Sequence, residues 1–412
     1  MRYRKKIIYF YLVIGLFVVA PFTLSYTDVD NAEIFDAAVL PTGIASFSSL
    51  VRWFILGIMA INTIFLLKKN IKNISKPLLF FCLFYLVQLV YAVIDGFDIE
   101  RFFLMTTLSL LIPMHLSISF RQFGKKLINI FTYCIFAFII LAIALNGKQV
   151  LQGQRFFGFI GNSNLYGMTA VFWAVILILK LKLESSKKNI LVNVFLVIVI
   201  LTVILSGSRS GVIGVLIVLA TSFFGNMKRS VIFLLVFIIG FLTLSYFVNI
   251  TFIEDRFSNI SNSAKESGRD ELWHSAYNAI SQNLYTGNGM NANIIISNTG
   301  NMHNSYIRFL LNMGLVFTVL ALANYFLSIF NIIRNYKKIP LILAAFLVAY
   351  SLASYGEDYF VGLGSSMFIY ILIIYGLINY FLKFNEQNGR VGRRSNLNNS
   401  NTRKMVTNND IN

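Results

Sequence analysis

Three side chains stand out for chemistry on a charged substrate: Arg209, Arg269 and His303. A guanidinium stays charged at physiological pH and can make paired contacts to phosphate oxygens, and an imidazole adds a base that works near neutrality. Together they suit an anionic, phosphate-bearing substrate. Arg209 lies in Ser-Gly-Ser-Arg-Ser-Gly at 206–211, a polar tip between the uncharged runs 190–205 and 212–224. The roughly 39 residues between Lys188 and Lys228 give about 58 Å of helix, whereas two crossings of a hydrocarbon core need about 60 Å. The tip barely clears the apolar layer. An arginine held at that depth costs on the order of 2.5 kcal/mol or more unless it lines a polar cavity or binds an anion.

The other candidates each carry a structural reading beside the chemical one. Arg269 stands near Trp273 but can also pair with Asp270 or Glu266 on a wet surface. His303, in Met-His-Asn-Ser-Tyr, can help cap the helix that begins there, together with Asn304 or Ser305. The stretch 158–167, Gly-Phe-Ile-Gly-Asn-Ser-Asn-Leu-Tyr-Gly, precedes an apolar helix. Asn162, Asn164 and its backbone can hydrogen-bond sugar hydroxyls or phosphate, or simply form a capped turn. Glu357-Asp358 can carry acid–base chemistry, orient an arginine, or be an interfacial charged turn. Asp28-Val-Asp30 matches the D-x-D of metal-dependent sugar transferases, a weak three-residue signal in an acidic loop. His115 and His274 read as structural, and Cys82 and Cys134, both within apolar runs, as small core residues rather than disulfide or metal ligands.

The elements that must hold these side chains are membrane helices. Hydrophobic residues make up 57% of the 412 and charged residues 13%, with continuous apolar runs rather than alternation, which excludes a soluble multi-domain protein and a β-barrel. The fold expected is an all-α integral membrane bundle of about twelve spans, near 7–24, 50–67, 77–94, 102–119, 127–145, 165–180, 190–206, 211–224, 230–249, 304–333, 339–355 and 360–383. The first run, basic at its start and without a convincing cleavage site, reads as an uncleaved span. Placing both termini in the cytoplasm leaves only Arg52, Arg101, Lys148, Arg155, Arg209, Arg256, Lys265, Arg269 and Arg308 as outer cations. The net charge of +18 is then mostly the inner-side anchor pattern, a feature of a lipid-bilayer partner rather than of nucleic acid.

Residues 1–384 form the predicted bundle, 250–303 a long outer loop within it, and the Asn-rich, basic stretch 385–412 a disordered cytoplasmic tail. Asp270 to Ile280 has the spacing of a short amphipathic helix, with Leu272, Ala276 and Ile280 on one face and Ser267 or Asp270 as possible caps. No half-to-half repeat is visible, which counts against a transporter.

Four short motifs, in this order and on this side of the membrane, resemble the O-antigen ligase and O-antigen polymerase family. They are Gly-Asn-Ser-Asn-Leu-Tyr-Gly at 161–167, Ser-Gly-Ser-Arg-Ser-Gly at 206–211, Gly-Arg-Asp-Glu-Leu-Trp at 268–273, and His-Asn-Ser-Tyr at 303–306 followed by Leu-Asn-Met-Gly at 311–314. The resemblance covers roughly residues 150–320 and implies a membrane glycosyltransferase of the bacterial plasma membrane. Its donor would be a polyprenyl-diphosphate-linked glycan, its acceptor a lipid-linked glycan, and it would need no metal and no cofactor. By the resemblance Arg209 and Arg269 bind the diphosphate and His303 is the general base. Asn162, Asn164, Trp273, Asn304 and Tyr306 are expected to contact substrate. The heavy use of Phe, Ile, Asn, Lys and Tyr hints at an A+T-rich coding region and favours a capsular or O-antigen polymerase, with a chain-length regulator as a possible partner. The alternatives are a ligase that uses a terminal acceptor and a twelve-span flippase or transporter of lipid-linked glycan; a non-enzymatic scaffold would leave the recessed Arg209 without a reason.

Overall fold

Apolar runs long enough to bury their own backbone hydrogen bonds become helices, and the computed structural model bears this out for residues 2–22, 42–152, 154–184, 189–223, 269–297, 302–361, 363 and 365–384, which it describes. In chain order the helices are α1 (Arg2–Val19), α2 (Thr42–Asn70), α3 (Lys76–Asp95), α4 (Ile99–Leu151), α5 (Ser163–Leu183), α6 (Ile190–Leu205) and α7 (Arg209–Phe223). They continue with α8 (Arg269–Gln282), α9 (Ala292–Ser297), α10 (Ser305–Arg334), α11 (Leu341–Ala353) and α12 (Ser366–Lys383). No strand occurs among the described residues. Among the described residues six stretches, Ser46–Leu66, Lys76–Asp95, Ile99–Lys148, Ser163–Leu183, Ser305–Arg334 and Ser366–Lys383, are long and apolar enough to cross a membrane, and four shorter apolar helices accompany them.

Each predicted span except 230–249 falls on a helix. That span, Asp28 and Asp30, the loop up to 268 and the tail 385–412 lie outside the described residues. The expected amphipathic helix is α8, and Ala276 and Ile280 are its buried face.

Spans expected at 102–119 and 127–145 share the single helix α4. The rings of Phe120 and Phe131 are 6.1 Å apart. Eleven residues of straight helix would separate their Cα atoms by about 16 Å, too far for two phenylalanine side chains to bridge, so α4 must bend between them. Its first arm runs in the same sense as α12, with Leu116 at Gly376 and Phe120 at Tyr380. Its second arm runs against α5, with Asn129 at Lys180 and Phe138 at Trp173. The chain therefore reverses near Arg121, Gly124, Lys125 and Lys126, where an inner loop is predicted.

Two ends of the bundle follow from these contacts. At one end meet the start of α5, the turn between α6 and α7, the start of α10 and the connection before α12, through Phe156 N to Leu205 O, Asn164 to Glu357 and Ser305 N to Ser354 O. At the other meet the bend of α4, the end of α5 and the end of α12. The first set comprises the predicted outer segments and the second the predicted inner ones.

The core between the ends is aromatic and dry. Trp173, Tyr166, Phe172, Tyr325, Tyr350, Tyr370 and Tyr375 are fully buried. Four of the tyrosine hydroxyls reach partners within the bundle: Tyr325 donates to Leu347 O at 3.0 Å and Tyr350 to Tyr359 O at 2.6 Å, while Tyr166 meets Thr202 Oγ1 and Tyr375 meets Ser328 Oγ. α5 passes through the middle of this core, with its residues from Leu165 to Lys180 almost all buried.

One irregularity positions the segment after α8. α10 is interrupted at Gly314, whose φ of 68° and ψ of −179° leave helical groups unpaired. The chain after α8 fills the gap: Asn288 N donates to Leu311 O at 2.9 Å, Gly289 N to Asn312 O at 3.1 Å, and Leu315 N to Leu284 O at 2.7 Å. The Asn312 amide adds bonds to Met290 O and Asn293 Oδ1. The far side is tied to α3, with Tyr91 donating to Thr286 O at 2.8 Å and Asp95 accepting from Met290 N at 2.7 Å. The motif Leu-Asn-Met-Gly is thus the socket of this clamp. Gly287, at φ 78°, lies backbone to backbone against Asn312 and Gly314, so a Cβ there has no room. Gly287→Ala and Gly314→Ala are each expected to cost roughly 1–3 kcal/mol, while Gly57→Ala, on an open helix face, should stay within about 0.5 kcal/mol of zero. Unfolding midpoints of the purified protein in detergent measure this, and equal midpoints for all three variants would remove the clamp from the account.

Candidate active site

Asn304 organises the entry to α10. Its side-chain oxygen accepts from Tyr306 N and Ile307 N at 3.0 and 3.1 Å, which makes it the N-cap. His303 is left outside the helix with a left-handed φ of 49°, and the flanking backbone is pinned. Met302 N donates to Asp358 Oδ2 at 2.8 Å, Trp273 Nε1 donates to Met302 O at 2.9 Å, and Ser305 binds Ser354 O and Glu357 O. His303 is therefore held by α8 on one side and by the 354–358 turn on the other.

At the centre stands the Glu357 carboxylate, 15% exposed. It accepts from Asn164 Nδ2 at 2.8 Å and lies 3.6 Å from Arg269 Nη2 and 3.6 Å from His303 Nδ1. Arg269, the first residue of α8, is also 3.4 Å from His303 Nδ1 through Nη2 and donates to Gly356 O through Nη1. Asn164 sits in the first turn of α5, where the Asn162 side chain caps the helix by accepting from Asn164 N and Leu165 N. Arg155 closes the set: its Nε donates to Ser206 O at 2.8 Å and its Nη2 to Asn164 Oδ1 at 3.3 Å. The 206–211 turn packs against the 161–167 turn so closely that Gly167 and Gly211 nearly touch and a Cβ at Gly167 would meet Ser208. Arg209 opens α7 directly after the buried Ser208.

Of the predicted residues, Asn164, Arg269 and His303 are brought together directly, around Glu357. Arg209 belongs to the turn that packs beside Asn164. Arg269 finds its carboxylate partner in Glu357 rather than in its neighbour Asp270, and Glu266 lies outside the described residues. Asn162 and Asn304 spend their side-chain oxygens on helix caps, Tyr306 donates its hydroxyl to Ser351 O at 2.9 Å, and the Trp273 ring lies 6.1 Å from that of Tyr355. These four fix the frame in which Asn164, Arg269 and His303 meet. Arg155 is the member that the sequence left without a role, and Glu357 the one for which it left three alternatives open, one of them to orient an arginine. Neither sits in a motif, and the signal available for both is charge at the predicted outer end of a neutral bundle.

Two other cations of the predicted outer set have local partners. Arg101 pairs with Asp98 at 3.2 Å, and the nearly buried Arg308 pairs with Asp358 at 3.4 Å. Burial pushes the Asp358 carboxyl above the usual range, opposed by the Arg308 charge and the Met302 N–H. Asp358→Ala strands the Arg308 guanidinium and should cost roughly 3–5 kcal/mol, whereas Arg308→Leu with Asp358→Leu should recover most of it. Thermal unfolding in detergent decides this, and a double variant no better than the single one would contradict the pairing.

Residues 194–322 match the model of a family described as O-antigen ligase. The motif resemblance is borne out over that stretch, somewhat under a third of the chain, which includes the motifs at 206–211, 268–273, 303–306 and 311–314 but not the one at 161–167. Among curated proteins, none matches the chain.

Proposed function

We propose that this protein is a glycosyltransferase of the bacterial plasma membrane that polymerises polyprenyl-diphosphate-linked oligosaccharide repeats into O-antigen or capsular polysaccharide at the outer face. The observation that carries the reading is the meeting of Arg269, His303, Asn164 and Glu357 at one end of an apolar bundle, in a chain whose 194–322 segment matches the O-antigen ligase family.

In the proposed reaction the acceptor hydroxyl attacks the anomeric carbon of the donor, and the bond from that carbon to the diphosphate oxygen breaks. The electron pair leaves with the polyprenyl diphosphate, whose growing negative charge Arg209 and Arg269 stabilise. The hydroxyl proton passes to His303. One displacement of this kind inverts the anomeric centre, and two fixed guanidiniums take the place that a divalent cation would otherwise fill.

Glu357 decides whether His303 can act as the base. Arg269 can only donate, so an imidazole that accepts from it at Nδ1 carries its proton on Nε2 and has no lone pair left there. With Nδ1–H turned to Glu357 instead, Nε2 is free to take the acceptor proton. Asn164, itself held by Arg155, donates to that carboxylate.

The family description favours a second reading, a ligase that hands the finished glycan to a terminal acceptor. The lipid-linked intermediate that accumulates when the protein is lost separates the two: a single repeat means polymerase, a full-length chain still on polyprenol means ligase. Transfer by purified protein in detergent, where there is no bilayer to cross, separates both from a flippase.

Arg209→Ala, Arg269→Ala and His303→Ala are each expected to abolish long-chain glycan while membrane insertion persists, and normal ladders from all three would sink the assignment. Glu357→Gln, which keeps the shape but loses the charge, should lower turnover by roughly 100-fold or more with little change in donor KM. Kinetics on purified lipid-linked repeat read this out, and an unchanged turnover would leave Glu357 a purely structural residue.

A further inference from the structure

At the end of the bundle opposite this site, a cavity of about 960 Å³ opens where α4 bends. Tyr9 of α1, Leu66 and Asn70 of α2, and the 118–126 segment of α4 form its wall. Three cations, Arg121, Lys125 and Lys126, converge on it with the Gln122 amide, and no carboxylate is among the lining residues. Among the described residues none of the three has an ion-pair partner, whereas Lys180, at the same end, is paired with Glu184. Arg121 is steadied by the Phe384 ring, 5.0 Å from its guanidinium carbon.

A general inner-side excess of Lys and Arg spreads charge around a rim, where water screens it. Here the spacing works against the free protein. Arg121, Lys125 and Lys126 all line one cavity at the bend of α4, so like charges are gathered there at a small energetic cost that a bound anion would remove. The lining also changes character with depth. Leu66, Ile118 and Phe123 supply apolar surface beside the cations, which suits a molecule with a phosphate at one end and hydrocarbon at the other.

We propose that this cavity binds a phosphate-bearing anion, and that the ligand is the headgroup of an anionic phospholipid in the leaflet facing this end of the bundle. The site is separate from the transfer chemistry, so it stands or falls independently of the proposed polymerase activity.

The test uses the full-length protein purified in detergent at fixed ionic strength. It is titrated with short-chain phosphatidylglycerol, with phosphatidylcholine of the same chains, and with inorganic phosphate, following the unfolding midpoint. Phosphatidylglycerol should raise the midpoint saturably and phosphatidylcholine should not. Arg121→Gln, Lys125→Gln and Lys126→Gln should each weaken the apparent affinity by roughly five-fold, and Lys337→Gln, elsewhere among the inner cations, should leave it unchanged. If inorganic phosphate reproduces the effect at similar concentration, the cavity stands as a phosphate site whose source is soluble. Equal shifts with both lipids, or unaltered phosphatidylglycerol affinity in every foldable cavity variant, would overturn the proposal. Should one variant fail to fold, the other two and the lipid comparison still decide.

Discussion

The bridging position of the Glu357 carboxylate is the constraint on which the end of the bundle that holds the site depends. Two side chains that can donate, Arg269 and His303, meet at the mouth of an apolar bundle, and an acceptor between them satisfies both. One carboxylate, anchored by Asn164 from α5 and carried on the turn between α11 and α12, faces both. Because it is only 15% exposed, water screens it less than it would a surface ion pair. Side chains from α5, α8, the start of α10 and the 354–358 turn are thereby drawn to one point.

That arrangement needs α8 and the segment after it in a fixed place, and the break in α10 provides it. The interruption at Gly314 looks like a defect in a membrane helix, yet the backbone groups it frees are those that receive the 284–289 segment. The same segment is tied to α3 through Asp95 and Tyr91. With its C-terminal end so fixed, α8 has little freedom to rotate, and Arg269 at its first residue is held beside His303. Two glycines supply the left-handed backbone that this close approach requires, and hydrogen bonds across it make the loop a structural part of the site.

Much was readable beforehand because hydropathy and charge act locally along the chain. Every predicted span within the described residues carries a helix, the short helix at 269–282 follows from its spacing, and the segments grouped by charge onto one side meet at one end. The residue types at the site were also readable, since arginine and histidine beside long neutral runs are conspicuous. Whether His303 helps cap α10 together with Asn304 or Ser305 was open in the sequence; the Asn304 side chain is the cap, and His303 lies just ahead of it, outside the helix.

Partnership was beyond the linear pattern. Glu357 is 88 residues from Arg269 and 193 from Asn164, and nothing in the spacing of charges says which cation a distant carboxylate will face. The single helix that bears two predicted spans, the glycine pair at 287 and 314, and the gathering of Arg121, Lys125 and Lys126 around one cavity have the same origin. Periodicity and composition set which segments enter the apolar phase, because burial free energy depends on each segment's own side chains. Which side chains then meet depends on how the helices pack, and only the tertiary arrangement carries that information.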